Sequence, residues 1–493
     1  MHPDFAVALE KCHHVLRVAG QPQLVCSNFE RLFRQVASGA TGVIDDSTLD
    51  QVEKLPSYSD LFRDADVISA GNAALSQLAI CKLNGGLGTG MGLNGAKSSL
   101  VVKNGLTFND ISARQLLDFR TRLGVQLPLL HMTSFATEAE ILAFSQRFPE
   151  LALAGGAACF NQHMHPRLYA DTLLPVEESD PRLNWNPPGH GDLFLALQTS
   201  GMLSRLLSAG KRYLFVSNAD NLGATVEPAI LGFMLLNNIP FLMETALRTE
   251  ADKKGGHLAR RRSDQRLQLR ESAQAPADER GDPCPEFQDI NRYRYFNSNN
   301  IWIDLFALAQ VVSSSSGVME LPLIRNSKTL DPSISTSAKV YQLETAMGAA
   351  IELFEGAQAL SIPRTRFAPV KANSDLLVIR SDAYVLNERG CLVINPAREQ
   401  SSPPLVSLDT RHYKSISAFE ERFVYPPSLL RCTTFKVVGN VRFAAPLSLH
   451  GKVSVIDCRS NQTTPVCIPA EVHVLDNQDL TLSDEGYQLD FPS

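Results

Sequence analysis

Between about residues 76 and 375, short apolar runs alternate with stretches that repeat at helical spacing. Residues 78–83, 127–132, 213–216 and 241–243 read as strands. Between them, one helix is predicted to start near Asn109 and Asp110, with Leu116, Phe119 and Leu123 on one face. Another is predicted over 138–147. Strand–helix alternation of this kind predicts a mostly parallel sheet covered on both faces, with ligands beyond the carboxyl ends of the strands. Upstream, Phe29, Leu32, Phe33 and Val36 recur on one helical face, and Asp45-Asp46-Ser47 is a candidate cap for a following helix. Residues 1–75 are therefore expected to form an N-terminal helical segment.

Residues 247–290 are polar and read as a surface excursion built on a hairpin and a loop. Arg260, Arg261 and Arg262 are expected on a solvated face, and residues 313–316 form a linker-like serine tract. After about 380 the pattern changes to short β-prone pieces, 405–408, 435–438, 441–444, 453–456 and 472–475, punctuated by Gly439-Asn440 and His450-Gly451. A small all-β domain is expected there. The division is then 1–75, 76–380 and 381–493.

A chain of 493 residues exceeds one ordinary core. Hydrophobic residues make up 44% and charged ones 20%, which predicts a soluble globular protein. The net charge of −6 argues against a nucleic-acid binder. No run approaches the ~20 apolar residues of a membrane helix, and no basic-then-apolar leader opens the chain. Nine scattered cysteines without a CxxC pair favour free thiols and a cytoplasmic location.

The densest chemical signal is Lys82-Leu83-Asn84-Gly85-Gly86-Leu87-Gly88-Thr89-Gly90-Met91-Gly92-Leu93-Asn94-Gly95-Ala96-Lys97-Ser98, directly after a strand. Backbone without Cβ atoms can approach a phosphate chain and turn its N–H groups toward it, and a lysine adds a point charge. A P-loop is excluded because Ala96 precedes Lys97. The dinucleotide pattern GxGxxG is met by residues 90–95, with Asp110 at the distance of a ribose carboxylate. The strand, however, ends well before Gly90, and Asp110 has the setting of a helix cap. A loop wrapping a nucleoside triphosphate and a flexible surface loop are the other readings. The second leaves the entropic cost of so many glycines uncompensated.

Further along, residues 213–221 are a strand ending in Asn218-Ala219-Asp220-Asn221. There Asp220 can hold Mg²⁺ or simply make a turn. Pro188-Gly189-His190-Gly191-Asp192 precedes a helix and places a histidine near its N-terminus. Lys371 follows an apolar piece and precedes an Asn373-Ser374-Asp375 turn. His163 and His165 lack a third metal ligand nearby and read as loop histidines. No Ser-His-Asp or Cys-His nucleophile pattern stands out.

Taken in order, Leu83-Asn84-Gly85-Gly86-Leu87-Gly88-Thr89, Pro188 to Asp192, Ser217-Asn218-Ala219-Asp220-Asn221-Leu222-Gly223-Ala224-Thr225, Lys254-Gly255-Gly256, Phe296-Asn297-Ser298-Asn299-Asn300-Ile301-Trp302, Leu343-Glu344-Thr345-Ala346 and Pro363-Arg364-Thr365-Arg366-Phe367 running into Pro369-Val370-Lys371 carry a family resemblance. The chain resembles the eukaryotic-type UTP–glucose-1-phosphate uridylyltransferases (UDP-glucose pyrophosphorylases) over most of 76–380. The resemblance implies an α/β nucleotidyltransferase (Rossmann-like) core with a mixed sheet, and a C-terminal left-handed β-helix. It also implies Mg²⁺ as cofactor, UTP and glucose 1-phosphate as substrates, and assembly of copies through the C-terminal region in some members.

By position, the resemblance implies that Leu83, Asn84, Gly85 and Gly86 line the nucleotide and sugar phosphate and that Lys97 binds the triphosphate. Gln162 and the Gly189 backbone would read uracil, an N–H between two carbonyls. His190, Asn218, Ala219 and Asp220 would meet the sugar phosphate, with Asp220 also on the metal. Lys371 would be catalytic, and Glu271 and Asn299 would meet glucose hydroxyls. Departures from the family pattern are Ala96 for Pro, Gly90 for Thr or Ser, His163 for Ser, His257 for Thr and Arg270 for an apolar residue. A broader UDP-sugar or UDP-N-acetylhexosamine enzyme, or a nucleotide-sugar sensor without turnover, are the alternatives.

Overall fold

A computed structural model describes residues 3–93, 95–278, 281–331, 334 and 336–491. The chain divides into two compact units. The first comprises residues 1–85, 124–218 and 226–364, and the second 86–123, 219–225 and 365–493.

The first unit is built on a ten-stranded mixed sheet. Its parallel heart is Tyr213–Asn218, Leu78–Leu83, Leu129–Thr133 and Cys159–Asn161, in that spatial order. The first three lie on the expected apolar runs 213–216, 78–83 and 127–132 and are buried almost throughout, as strands covered on both faces must be; Cys159–Asn161, at the sheet's edge, falls outside those runs. The long strand Tyr295–Asp304 runs antiparallel beside Tyr213–Asn218, and Phe241–Leu247 and Gln358–Ile362 complete that side. Helix Ala65–Ala74 crosses helix Pro228–Leu236 so closely that a Cβ on Gly71 would lie 1.8 Å from the Pro228 carbonyl. One on Gly232 would lie 1.8 Å from that of Val67.

The N-terminal helices Pro3–Val18 and Gln23–Ala37 present Leu9, Cys12, Leu16, Phe29, Leu32 and Phe33 to a core shared with Leu168, Leu323 and Leu343. The helix expected to start at Asp45-Asp46-Ser47 is not formed there, although helices Tyr58–Leu61 and Ala65–Ala74 follow later in the segment. Asp45 caps only the short 3-10 turn Asp46–Thr48, which leads into the strand Leu49–Asp50 at the edge of the main sheet. The polar stretch after 247 is likewise less peripheral than its composition suggests. The hairpin His257–Arg261 and Leu267–Arg270 joins the main sheet, with His257, Leu258, Ala259, Leu269 and Arg270 fully buried. Arg262 is exposed, whereas Arg261 is half-buried between Asp264 and Glu352. Residues 279 and 280, within the expected loop, lie outside the described residues. The serine tract at 313–316 is no linker: helix Leu305–Ser314 ends in it, and Ser315 Oγ donates back to the Val311 carbonyl.

The second unit has its own core, joining Phe108, Ile111, Leu222, Val370, Leu376 and Leu377 to Leu429, Phe435, Val437, Leu449, Val453 and Val455. Strands Leu405–Leu408, Ser428–Val438, Ser448–Asp457 and Asp479–Ser483 stack in parallel, and Gly486–Asp490 closes the sheet as an antiparallel edge. Two short helices, Thr410–Tyr413 and Ile416–Arg422, interrupt the β pattern. Each has a side-chain cap, from Asp409 and Ser415 respectively. No helix among the described residues is long and apolar enough to cross a membrane, and all nine cysteines are free thiols.

Candidate active site

Parallel register aligns the carboxyl ends of the central strands in the first unit. Asn218 is opposite Leu83, Leu83 is opposite Met132, and Thr133 is opposite Asn161. Asn84 and Gln162 therefore leave the sheet at the same edge as Asn218, where open α/β sheets bind ligands.

The start of the glycine-rich segment is held by buried polar groups. The Thr137 hydroxyl donates to the Asn84 carbonyl and the Ser134 hydroxyl to the Gly85 carbonyl. Asn84 Nδ2 lies 2.6 Å from His131 Nδ1. Burial, with the Lys82 charge nearby, drops the His131 pKa to about 3, so the ring is a neutral acceptor for that amide. Lys82 Nζ donates to Ser217 Oγ at 2.8 Å, linking the two strands from which the loop and Asn218 emerge. The side chain of Gln162 lies against Gly85: a Cβ on Gly85 would fall 2.4 Å from Gln162 Nε2. Absence of a side chain at 85 is what leaves room for that amide.

Gly189, with φ of 79°, packs on the Thr345 backbone, and the Gly191 N–H donates to the Thr345 carbonyl. The Met347 N–H donates to His190 Nδ1 at 2.9 Å. The ring proton is thereby placed on Nε2, and burial lowers the His190 pKa to about 4. His190 is thus a neutral Nε2–H donor. His163 is bonded to Asp192 through its backbone and its ring, and His165 Nδ1 meets the Leu343 carbonyl. Among the described residues, no group of three or more His, Cys, Asp or Glu could hold a metal ion.

A third cluster in this unit joins Glu271, Asn297 and Asn299. Asn297 Nδ2 donates to Asn299 Oδ1 at 2.9 Å and more distantly to Glu271 Oε1 at 3.4 Å. Close by, the fully buried Glu244 carboxylate accepts from Trp302 Nε1 and Asn300 Nδ2. His131, Thr137 and Glu244 carry no motif of their own, and Lys82 and Asn297 lie in motifs that assign them no role. Only a charged or polar residue inside an otherwise apolar strand signals Lys82, His131 and Glu244.

In the second unit, Lys97 N–H donates to the Gly86 carbonyl, and the Lys97 stem packs on Gly88, a left-handed residue at φ of 61°. Lys97 Nζ meets Asp220 Oδ2 at 2.6 Å. The turn at Ala219–Asp220 is followed by Asn221, whose Nδ2 donates to the Arg366 carbonyl and whose Oδ1 accepts from Ala368 N–H. This fixes the segment after Asp220 to the one leading to Lys371. Lys371 is exposed. The segment after it is the first turn of helix Asn373–Arg380 rather than a free turn, with Asp375 accepting from the Lys371 and Ala372 N–H groups. The dinucleotide reading of residues 90–95 is overturned. Asp110 forms a reciprocal cap with Thr107, its carboxylate accepting from the Thr107 N–H and hydroxyl. Asn94, part of that pattern, lies outside the described residues.

With this geometry in view, comparison with known proteins is decisive. The family described as UTP–glucose-1-phosphate uridylyltransferase matches residues 26–450. The chain belongs to this family. Its relatives include the uridylyltransferase of Solanum tuberosum, 40% identical over 77% of each chain. That of Saccharomyces cerevisiae is 40% identical over 78% of this chain and 74% of its own. Among solved structures, the UDP-glucose phosphorylase of Trypanosoma brucei aligns with a TM-score of 0.87 at 42% identity, over 96% of this chain and 99% of that one. A variant UDP-glucose pyrophosphorylase of Leishmania major, in complex with UDP-glucose, aligns with a TM-score of 0.86 at 41% identity over the same shares.

Proposed function

We propose that this uridylyltransferase-family chain converts UTP and glucose 1-phosphate to UDP-glucose and pyrophosphate. The observation that carries the reading is the seating of the Gln162 amide against Gly85, at the carboxyl edge of the parallel strands. An amide there complements one N–H and one carbonyl of uracil, and the Gly189 backbone complements the rest. Leu83, Asn84, Gly85 and Gly86 lead the nucleotide and sugar phosphate along the glycine-rich segment. His190, donating through Nε2–H, and Asn218 bind phosphate oxygens without adding titrating charge near neutral pH. Glu271 and Asn299 meet sugar hydroxyls.

The reaction is an in-line displacement. A phosphate oxygen of glucose 1-phosphate forms a bond to the α-phosphorus of UTP. The bond from that phosphorus to the bridging oxygen breaks, and its electron pair leaves with pyrophosphate. The nucleophile is already an anion, so no protein base is needed, and positioning and charge neutralisation carry the catalysis. Lys97 and Lys371 supply the neutralising charge.

Asp220 suits Mg²⁺, which binds through one or two carboxylates together with substrate phosphates rather than in an all-protein cage. A single carboxylate with no surrounding His, Cys, Asp or Glu cluster among the described residues is that kind of donor set. When bound, the ion would lower the negative charge on the triphosphate. Asp220 would hold it, and Lys97, paired with Asp220 at 2.6 Å, would be released toward phosphate oxygens. We place the enzyme in the cytoplasm, in keeping with nine free thiols, and assign assembly of copies to the C-terminal strands.

Pyrophosphate release measured with UTP, Mg²⁺ and glucose 1-phosphate tests the proposal. Galactose 1-phosphate and N-acetylglucosamine 1-phosphate serve as competitors. Release that depends on all three components is expected. Nucleotide binding without any release would overturn the assignment.

A further inference from the structure

Strand Tyr295–Asp304 does not pair continuously with Phe241–Leu247. Glu244 is opposite Asn300 and Thr245 is opposite Asn297, so Ser298 and Asn299 are displaced from the ladder as a bulge. Asn299 has φ of 58°, a left-handed conformation that asparagine adopts more readily than other non-glycine residues. The side chain of Asn297 holds it there. Its Oδ1 accepts from the Asn299 N–H at 3.0 Å, closing a local turn. Its Nδ2 donates to Asn299 Oδ1 and reaches Glu271 Oε1.

Asn297 is itself fixed. It is 5% exposed, its N–H donates to the Gly256 carbonyl, and a Cβ on Gly348 would lie 3.3 Å from its Nδ2. Gly256 in turn lies against the Glu271 carboxylate, where a Cβ would fall 2.4 Å from Oε2. One buried amide therefore sets the backbone and rotamer of Asn299 and reaches Glu271, whose carboxylate also accepts from the Gln274 N–H in a capping box.

We infer that Asn297 is the positioning residue that sets sugar selectivity, by holding Asn299 and Glu271 at the one spacing that matches the hydroxyls of the hexose phosphate. The inference rests on the assignment of Glu271 and Asn299 to the sugar. Asn297 acts through these two. A donor fixed at both ends by buried neighbours gives geometric discrimination that two mobile surface side chains would not.

Asn297→Asp is the test. It keeps the shape and the acceptor for the Asn299 N–H, removes the donor, and sets a carboxylate against Glu271. The KM for glucose 1-phosphate is expected to rise about tenfold or more, the range of a lost hydrogen bond to a charged group. The KM for UTP should stay unchanged and the preference for glucose over galactose 1-phosphate should narrow, while the melting midpoint falls because a carboxylate is buried beside Glu271. The same substitution placed in a Glu271→Gln, Asn299→Ala background should add nothing further to KM. Asn297→Ser serves as the second variant if the aspartate form does not fold. Equal rises in both KM values, or an undiminished effect in the doubly substituted background, would overturn the inference. If the unsubstituted chain releases no pyrophosphate at all, the assignment of function falls first. An active chain whose sugar KM ignores Asn297→Asp removes only this positioning role.

Discussion

Gly85→Ala isolates the uracil contact from everything else in the site. The Gly85 backbone is not left-handed, so alanine is conformationally acceptable there. The added methyl would meet Gln162 Nε2 at 2.4 Å and Cδ at 2.9 Å, well inside ordinary contact. Gln162 is 8% exposed, so its amide has little open space to occupy, and it must recede by about 1 Å, which takes a hydrogen bond of ordinary length out of bonding range. One buried partner left unmet costs about 1–3 kcal/mol, which converts to a rise in KM for UTP of roughly 5–150-fold. Initial rates at saturating glucose 1-phosphate, with UTP varied, measure it directly. Gly90→Ala is the steric control, since no described atom lies within 4 Å of its Cβ position. An unchanged KM for UTP in Gly85→Ala, or an equal rise in the KM for glucose 1-phosphate, would refute the placement of Gln162 on the base.

Lys371→Ala should lower turnover by about 10²–10³, the usual range for removing one preorganised charge contact. Lys371 is exposed, and the melting midpoint of the variant is expected to match the parent. Burial depresses the pKa of His131 to about 3 and of His165 and His190 to about 4. Their stabilising contribution is whole above the unfolded-state value of 6.5 and is lost as pH falls toward 4, each proton contributing a slope of at most about 1.4 kcal/mol per pH unit. Glu352 works in the opposite sense. Burial raises its pKa to about 7, against the opposing pull of Arg261, so its contribution is whole below the unfolded-state 4.5 and is lost as pH rises through 7. Urea midpoints should therefore fall steeply from pH 6 to 4, and Glu352→Gln should flatten the decline between pH 6 and 8. A steeper decline in that variant would contradict the assignment. Gly232→Ala would press a methyl to 1.8 Å from the Val67 carbonyl, a rigid backbone atom. Its urea midpoint should drop by the equivalent of about 3 kcal/mol, the upper end for overpacking.

The sequence by itself determined the class of fold and the chemistry. Apolar runs of strand length, such as 78–83 and 213–216, are buried on both faces and so announce a parallel core. Glycines at 85 and 189, a carboxylate at 220 and lysines at 97 and 371 are the residue types that phosphate transfer needs, and their order along the chain reveals the family. What sits behind those residues was decided only by tertiary structure. Lys82 and His131 look like interruptions of apolar strands until parallel register brings Lys82 to Ser217 and His131 to Asn84. The hairpin at 257–270 reads as surface because its composition is polar. Yet Arg270 is fully buried, on a strand beside the main sheet, with Asp46 supplying a partner from more than two hundred residues away. Asn297 lies two positions from Asn299 in the chain, but its connection to Glu271 exists only because the bulge and the hairpin place them together. Local patterning reports which side chains need burial or a special backbone. Which distant group meets the need depends on long-range pairing, and no window along the chain contains it.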